Sequence, residues 1–376
     1  MIIPFIDLKS QYRLIQDEVK KGIEAVLEHG AYVMGPEIRD LEARLAEFTG
    51  VKHAVACASG TDALLMALMA LGIGRGDAVF TSPFTFMATA EVVSLLGATP
   101  VFCDIDPVTL NMDPESLDTV IQRTRAERLD LRPRAVISVD IFGVPCDYDA
   151  VDAVCRNHGL TLIQDAAQSF GALYKGKRCG AFGTIGCTSF FPAKPLGCYG
   201  DGGMCFTDSD EWNDLLQSVR IHGQGRDKYE NVRLGINGRL DTMQAAVLLA
   251  KFKLFPREIE LRQEAADRYA ALLSQVPGLT VPTVPADCRS VWAQYSVLAR
   301  DAAHRDELMA KLKAAGVPTA IYYPTPLHLQ KAYSSLGHKP GDLPVCENVG
   351  SRIFSVPMHP YLTAEVQEQV AKAMLA

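Results

Sequence analysis

The chain has 376 residues, 48% hydrophobic and 22% charged, enough for one large core and a second, smaller one. With 37 Lys and Arg against 44 Asp and Glu the formal charge is −7, and no basic run could follow a phosphate backbone, so nucleic acid is not an expected partner. The longest apolar stretches, such as ALLMALMALGIG (63–74), are too short for a membrane span, and MIIPFIDLKS lacks the basic start of a signal peptide, so no membrane partner and a cytoplasmic location are expected.

The first clear element is helical: Ile38, Leu41, Leu45 and Phe48 recur at spacings of three and four, and Gly50 ends the run. Short β-rich runs follow at 53–59, 78–83, 99–106, 135–143, 161–167, 184–191 and 202–208, with helical spacing at 62–72, 86–97 and 147–158. Strands apolar on both faces and separated by helices predict an α/β fold with a mostly parallel central sheet covered on both sides. The polar, basic stretch RTRAERLDLRPRA (123–135) reads as a solvated surface loop. From about residue 240 long charged helices (256–275 and 304–316) surround one strand-like run, 291–299. That change of texture predicts a large domain over 1–245 and a smaller α+β C-terminal domain over 246–376. Ten cysteines are scattered singly with no CxxC, which favours buried reduced thiols; no metal-binding set is expected.

The chemistry starts at Lys194 in SFFPAKPLGCYGDGG (189–203), which follows an apolar strand and sits between Pro192 and Pro195, ahead of a glycine-rich turn. A lysine desolvated at a strand end loses its proton more readily, and the free amine can then form a Schiff base. Such a lysine would serve an aldolase or a pyridoxal phosphate enzyme. The second option also needs a carboxylate for the ring nitrogen, an anion site for the phosphate and a flat contact for the ring. Asp165 closes a buried strand in TLIQDAAQSFGA and suits the carboxylate, or else caps the following turn; Gln168 would point the same way. In ACASGTDALLMAL a strand ends and a helix starts at Gly60 and Thr61, offering helix N–H groups to an anion, although any capped strand-to-helix turn looks alike. Ser189 could add a hydroxyl, and Phe86 in PFTFMATA could cover a ring or pack in the core.

With these residues in this order, the chain resembles the nucleotide-sugar aminotransferases of fold type I, the DegT/StrS family. The resemblance runs from FIDLKSQY and GAYVMGPEIRDLE through the stretches above to GINGRLDTMQAAVL, YYPTPLHLQ and SVPMHPYL. It implies a fold-type I PLP-dependent transferase whose cofactor, pyridoxal 5'-phosphate, forms a Schiff base with Lys194, with Asp165 on the ring nitrogen. It further implies Gln168 on the phenolic oxygen, Phe86 on the ring, and Gly60, Thr61 and Ser189 on the phosphate. Asn237 would reach the phosphate of a partner subunit, implying a homodimer with shared active sites. Arg239 would contact substrate, its guanidinium suiting a uronate carboxylate or that of the amino donor, or would form an interface salt bridge. Tyr322 and Tyr323 replace a His-Tyr pair found in some relatives, and the 123–135 loop looks longer than usual. His222 in RIHGQGRDKYE belongs to a motif near the active site and could also be structural. The implied reaction passes the amino group of L-glutamate, leaving 2-oxoglutarate, to a nucleotide-linked keto-sugar for surface polysaccharide or amino-sugar biosynthesis. The ending GDGG resembles enzymes that aminate C3, the alternatives being C4 amination or a non-catalytic sensor built on the same fold.

Overall fold

The computed structural model describes residues 3–227 and 229–376. In chain order the elements are α1 (Leu8–His29), α2 (Pro36–Thr49), β1 (His53–Cys57), α3 (Gly60–Ala70), β2 (Asp77–Thr81), α4 (Ala88–Leu95), β3 (Thr99–Phe102), α5 (Pro114–Glu127), β4 (Arg132–Val139), α6 (Tyr148–His158) and β5 (Thr161–Asp165). They continue with β6 (Leu173–Tyr174), β7 (Lys177–Arg178), β8 (Ile185–Ser189), β9 (Gly203–Thr207), α7 (Asp210–Arg220), α8 (Thr242–Phe252) and α9 (Phe255–Leu273). The C-terminal part adds β10 (Cys288–Arg289), β11 (Tyr295–Leu298), α10 (Ala302–Ala314), α11 (Pro344–Arg352), β12 (Ile353–Val356) and α12 (Ala364–Leu375).

Seven strands form the central sheet in the order β1-β9-β8-β5-β4-β2-β3. All run the same way except β9, which is antiparallel to β1 and β8. The seven β-rich runs of the sequence are these seven strands, and the fold is the mostly parallel α/β sheet expected. One consequence decides where chemistry can happen. Parallel neighbours need a crossover that carries the chain to the far edge and back, whereas antiparallel neighbours can be joined directly. The 190–202 connection between β8 and β9 therefore stays over one edge, where β1, β2, β4, β5 and β8 all end and β9 begins. Ligands of parallel sheets bind at that edge.

The C-terminal part has its own core. Tyr295, Val297, Phe354 and Val356 of the β11-β12 pair pack with Tyr269, Leu273, Leu308, Leu312 and Val370 from α9, α10 and α12. Ile3 joins this cluster from the other end of the chain. The expected division at 245/246 falls inside α8, which lies against α1 and α2. The two cores meet along α9: Phe255 and Ile259 pack with Phe170 and Phe206 of the large unit, while Ala265, Ala266, Tyr269 and Leu273 belong to the small one.

Two sequence expectations are corrected. The stretch 123–135 is not a loop, because α5 runs to Glu127 and β4 starts at Arg132, leaving four residues between them. Its basic residues serve the sheet edge opposite the site: Arg132 Nη2 lies 2.7 Å from the carboxylate of Asp77, which is 1% exposed, and Arg132 N donates to Gly76 O. The C-terminal part also contains more than one strand; β12 follows α11 without a break, too short for a periodic signal.

Nine of the ten cysteines are buried, Cys288 is intermediate, and all are free thiols. This matches the expectation of reduced packing residues.

Candidate active site

Four connections at the ligand edge of the sheet enclose a cavity of about 500 Å³. Gly60, Thr61, Phe86, Asp165, Gln168, Ser189, Lys194, Tyr322 and Tyr323, all singled out from sequence, line it.

Lys194 is held by the winding of its own loop. Phe190 N donates to Gly202 O at 2.7 Å, Cys198 N to Phe190 O at 2.7 Å and Lys194 N to Phe191 O at 2.8 Å. Leu196 and Cys198 anchor the loop in the core at 1% and 0% exposure. Gly197 is required because a Cβ there would lie 2.5 Å from Phe191 O and 2.6 Å from Pro192 O. Burial lowers the pKa of the lysine, and the charge of Asp165 opposes the shift. The amine is therefore readier to be neutral than a surface lysine.

Asp165 ends β5, the strand beside β8, and is 6% exposed. Ala167 N donates to its Oδ1 at 3.1 Å and Thr89 Oγ1 to its Oδ2 at 3.0 Å; Thr89 Oγ1 is also 3.0 Å from Thr85 Oγ1. The capping alternative is thus partly realised, since the carboxylate does close the next turn, but no helix follows there. Burial raises the pKa of Asp165, while the Ala167 N–H, the Thr89 hydroxyl and the charge of Lys194 hold it down. Thr89 and Thr85 are not among the residues that the sequence pattern marks. Their signal is two hydroxyls four residues apart at the start of a helix whose neighbouring residues are mostly apolar.

Gln168 is oriented by Phe142, whose N–H donates to Gln168 Oε1 at 2.8 Å, and its Nε2 is 3.4 Å from Tyr323 Oη. The Tyr322-Tyr323 peptide is cis, and burial pushes the Tyr323 phenol up. At the other end of the cavity, Ser59 caps α3 by accepting from Asp62 N at 3.0 Å. The N–H groups of Gly60 and Thr61 belong to the unpaired first turn and, with the helix dipole, suit an anion. A Cβ at Gly60 would come within 2.5 Å of Ser189 Cβ and 3.1 Å of Ser189 Cα. The glycine therefore lets the start of α3 sit against the end of β8, which brings Thr61 and Ser189 together. Phe86 is 59% exposed and stands on the cavity wall rather than in the core.

Asn237, Arg239 and His222 are not part of this cavity within one chain. Their segment crosses the same sheet edge, with Ala58 N donating to Gly238 O at 3.0 Å. Asn237 and Arg239 line a neighbouring cavity of about 470 Å³ that shares Asp201 with the first. His222 is exposed in a left-handed turn (φ 62°), where its N–H donates to Ile236 O and its carbonyl accepts from Asn231 Nδ2.

A desolvated lysine, a buried carboxylate and a helix start, all facing one cavity, fit the amine, pyridine nitrogen and phosphate demands of pyridoxal phosphate. Together with the sheet order they define a fold-type I pyridoxal-phosphate-dependent transferase. The model of the DegT/DnrJ/EryC1/StrS aminotransferase family matches residues 13–375, and the chain belongs to that family. It is 48% identical over 367 residues to the UDP-2-acetamido-2-deoxy-3-oxo-D-glucuronate aminotransferase of Pseudomonas aeruginosa, covering 97% of this chain and 98% of the relative. Among solved structures, a DegT DnrJ EryC1 StrS aminotransferase from Brucella abortus superposes with a TM-score of 0.95 at 49% identity, covering 99% and 98% of the two chains. DesV of S. venezuelae, determined in complex with a ketimine intermediate, superposes with a TM-score of 0.93 at 36% identity, over 100% of this chain and 98% of DesV. The chain is an aminotransferase that uses pyridoxal phosphate.

Proposed function

We propose that the enzyme moves the amino group of L-glutamate onto the C3 keto group of a nucleotide-linked sugar, a UDP-2-acetamido-2-deoxy-3-oxo-hexuronate. The observation that carries this reading is Lys194 and Asp165 in one cavity of a chain 48% identical to an enzyme named for that reaction. When bound, the cofactor supplies an electron sink conjugated with the amine under transfer.

The residues of the chain supply the rest. Asp165 holds a proton on the ring nitrogen, and the Thr89 and Ala167 donors keep its carboxylate in place. Lys194 Nζ takes the proton from the donor's α-carbon in one half-reaction and delivers a proton to the sugar carbon that receives the amine in the other, exchange with the cofactor balancing each half, a role its lowered pKa suits. Gln168 turns Nε2 toward the phenolic oxygen because its Oε1 is occupied by Phe142 N. Gly60, Thr61 and Ser189 hold the phosphate, while Phe86 and the two tyrosines cover the ring and keep water out. The reaction would run in two halves: the amino group stays in the site when glutamate leaves as 2-oxoglutarate and passes to the keto-sugar that enters next.

In this reading the protein is a homodimer, and Asn237, Arg239 and His222 complete the partner's site, with the Arg239 guanidinium on a carboxylate. Exposed apolar side chains near this segment, Val33, Val232 and Leu234, support an interface there, Leu234 being 88% exposed. Among the described residues no helix is long and apolar enough to cross a membrane. We place the work of the enzyme in the cytoplasm.

The reverse reaction tests the substrate. UDP- and dTDP-linked amino sugars are offered with 2-oxoglutarate, and glutamate is measured. A 3-amino UDP-uronate should react fastest; preference for a dTDP-sugar or a C4 amine would overturn the assignment. Borohydride should fix cofactor mass on Lys194, and Lys194→Ala should lose both that mass and turnover. Mixing Lys194→Ala with Asn237→Ala protein should restore part of the activity if sites are shared, and none if each chain works alone.

A further inference from the structure

Gln294 stands in the wall between the active-site cavity and a second chamber of about 140 Å³. Its side-chain carbonyl oxygen is buried and has no hydrogen-bond partner in the protein. A buried amide oxygen without a donor costs on the order of 1–3 kcal/mol. Beside a substrate cavity, the donor that relieves that cost can come from the ligand.

The chamber behind Gln294 is walled by the buried apolar side chains Leu110, Ile141, Phe142, Val144, Trp292 and Leu298. Leu110, Phe142 and Trp292 hold left-handed backbone at φ 64°, 58° and 50°. Such conformations persist only where the surroundings enforce them, and they cluster at ligand sites. Here the enforcing contacts are Leu110 N to Asp106 O, Phe142 N to Gln168 Oε1 and Ala293 N to Phe142 O. The chamber walls are thereby tied to Gln168 in the active site. A cavity of roughly 150 Å³ can hold a benzene-sized group, so this one has room for the methyl of a small acyl group.

We propose that Gln294 and this chamber form the subsite for an acylamino substituent on the sugar carbon beside the keto group. The Gln294 amide pairs with the N–H and C=O of the substituent, and the acyl methyl enters the apolar chamber. A hydroxyl at the same carbon would use only half of the amide and place nothing apolar behind it. The inference rests on the nucleotide-sugar reading above and deepens it.

The test uses the holoenzyme and two UDP-linked 3-amino sugars that differ only in carrying 2-acetamido or 2-hydroxy. Their dissociation constants are measured by calorimetry for the parent, Gln294→Leu, and Val281→Phe, which fills the chamber without lining the active-site cavity. The parent should favour the acetamido sugar, and each variant should lower that preference by about tenfold. The melting midpoint checks that both variants fold. A parent that favours the 2-hydroxy sugar, or a preference unchanged in both variants, overturns the subsite and leaves the nucleotide-sugar reading standing. Binding of neither sugar to the parent overturns that reading and the subsite with it.

Discussion

Three of the four glycines of GCYGDGG, Gly200 before Asp201 and Gly202 and Gly203 after it, should respond very differently to a single added methyl. At Gly203 a Cβ would lie 2.3 Å from Ser59 O, 2.5 Å from Ser59 C and 2.8 Å from Gly60 N, all backbone atoms at the start of α3. Ordinary contact begins near 3.4 Å, so about 1 Å of movement is required, and the moving part carries the proposed phosphate site. Gly203 cannot retreat easily, being paired with both Cys57 on β1 and Ser189 on β8. At Gly202 the nearest atoms are side chains, Leu240 Cδ1 at 3.0 Å and Cys198 Sγ and Phe190 Cβ at 3.3 Å. At Gly200 the obstacle is the tip of a glutamine, Gln244 Nε2 at 3.1 Å, which need give by only a few tenths of an ångström and can keep the bond its Oε1 accepts from Tyr199 N. Overpacking of a rigid core costs about 1–3 kcal/mol, and a 1 Å misplacement near the chemistry costs about a hundredfold in rate. Gly203→Ala should therefore lose about 2–3 kcal/mol and about a hundredfold in turnover, with weakened cofactor binding. Gly202→Ala should fall between, and Gly200→Ala should stay within about threefold of the parent, since its obstacle is the tip of one side chain at 3.1 Å and not backbone. Melting of the cofactor-free protein, cofactor titration and the glutamate assay read all three. If Gly203→Ala binds cofactor and turns over as the parent does while Gly200→Ala suffers more, the steric account of this motif is wrong.

Asp165→Asn should raise the melting midpoint of the cofactor-free protein at pH 7 while lowering transamination about a hundredfold or more. Burial raises this carboxyl's pKa, so its stabilising contribution is present only below its ordinary value of 3.8 and is lost as pH rises through the folded value; at neutral pH the ionised form is a cost. His359 has the opposite sign. Burial depresses its pKa from 6.5 to about 4, against the pull of Asp7 and with the push of Arg262, so its stability is present above 6.5 and lost as pH falls toward 4. At most about 3 kcal/mol is at stake, and His359→Gln should flatten that part of the urea-unfolding profile. Arg220, 2% exposed, donates to Glu42 Oε1 at 2.6 Å and to Ala56 O at 2.9 Å. Arg220→Met should cost about 3–5 kcal/mol by stranding Glu42, and adding Glu42→Gln should recover part of it in the same melts.

The strands were legible because each is a short run apolar on both faces, bounded by a helix pattern, and the catalytic candidates because each is a polar residue at the end of such a run. Lys194, Asp165, Ser189 and Thr61 all break an apolar stretch where it meets a turn. Residues that support them carry no such mark. Thr89 lies within a largely apolar helix start, and Gln294 sits just before β11 in the C-terminal part, where nothing nearby in sequence hints at a cavity. The stretch 123–135 misled for the reverse reason: charge there signals a pairing with buried Asp77, not a loop. The 245/246 boundary cuts α8, and the two cores meet one helix later, along α9, whose N-terminal half packs with one core and whose C-terminal half packs with the other.

What no local pattern could supply is adjacency. Asp165 and Lys194 are separated by 29 positions in a chain whose sheet could be ordered in many ways, and their chemistry depends on β5 lying beside β8. The ladder puts Asp165 opposite Cys187, two residues before Ser189, so the lysine loop leaves the sheet next to the carboxylate. Because β9 runs antiparallel to β8, the whole 190–202 connection stays over that edge, and its return through Gly202 closes the lysine loop by accepting from Phe190 N. The parallel β5-β8 pair joins amine and carboxylate, and the antiparallel β9 turns the lysine loop back over the same edge. The glycines that let β9 start against Ser59 and Gly60 complete the same arrangement at the phosphate end. Lysine loop, carboxylate strand and anion-binding helix meet because β1, β9, β8 and β5 are consecutive in the sheet.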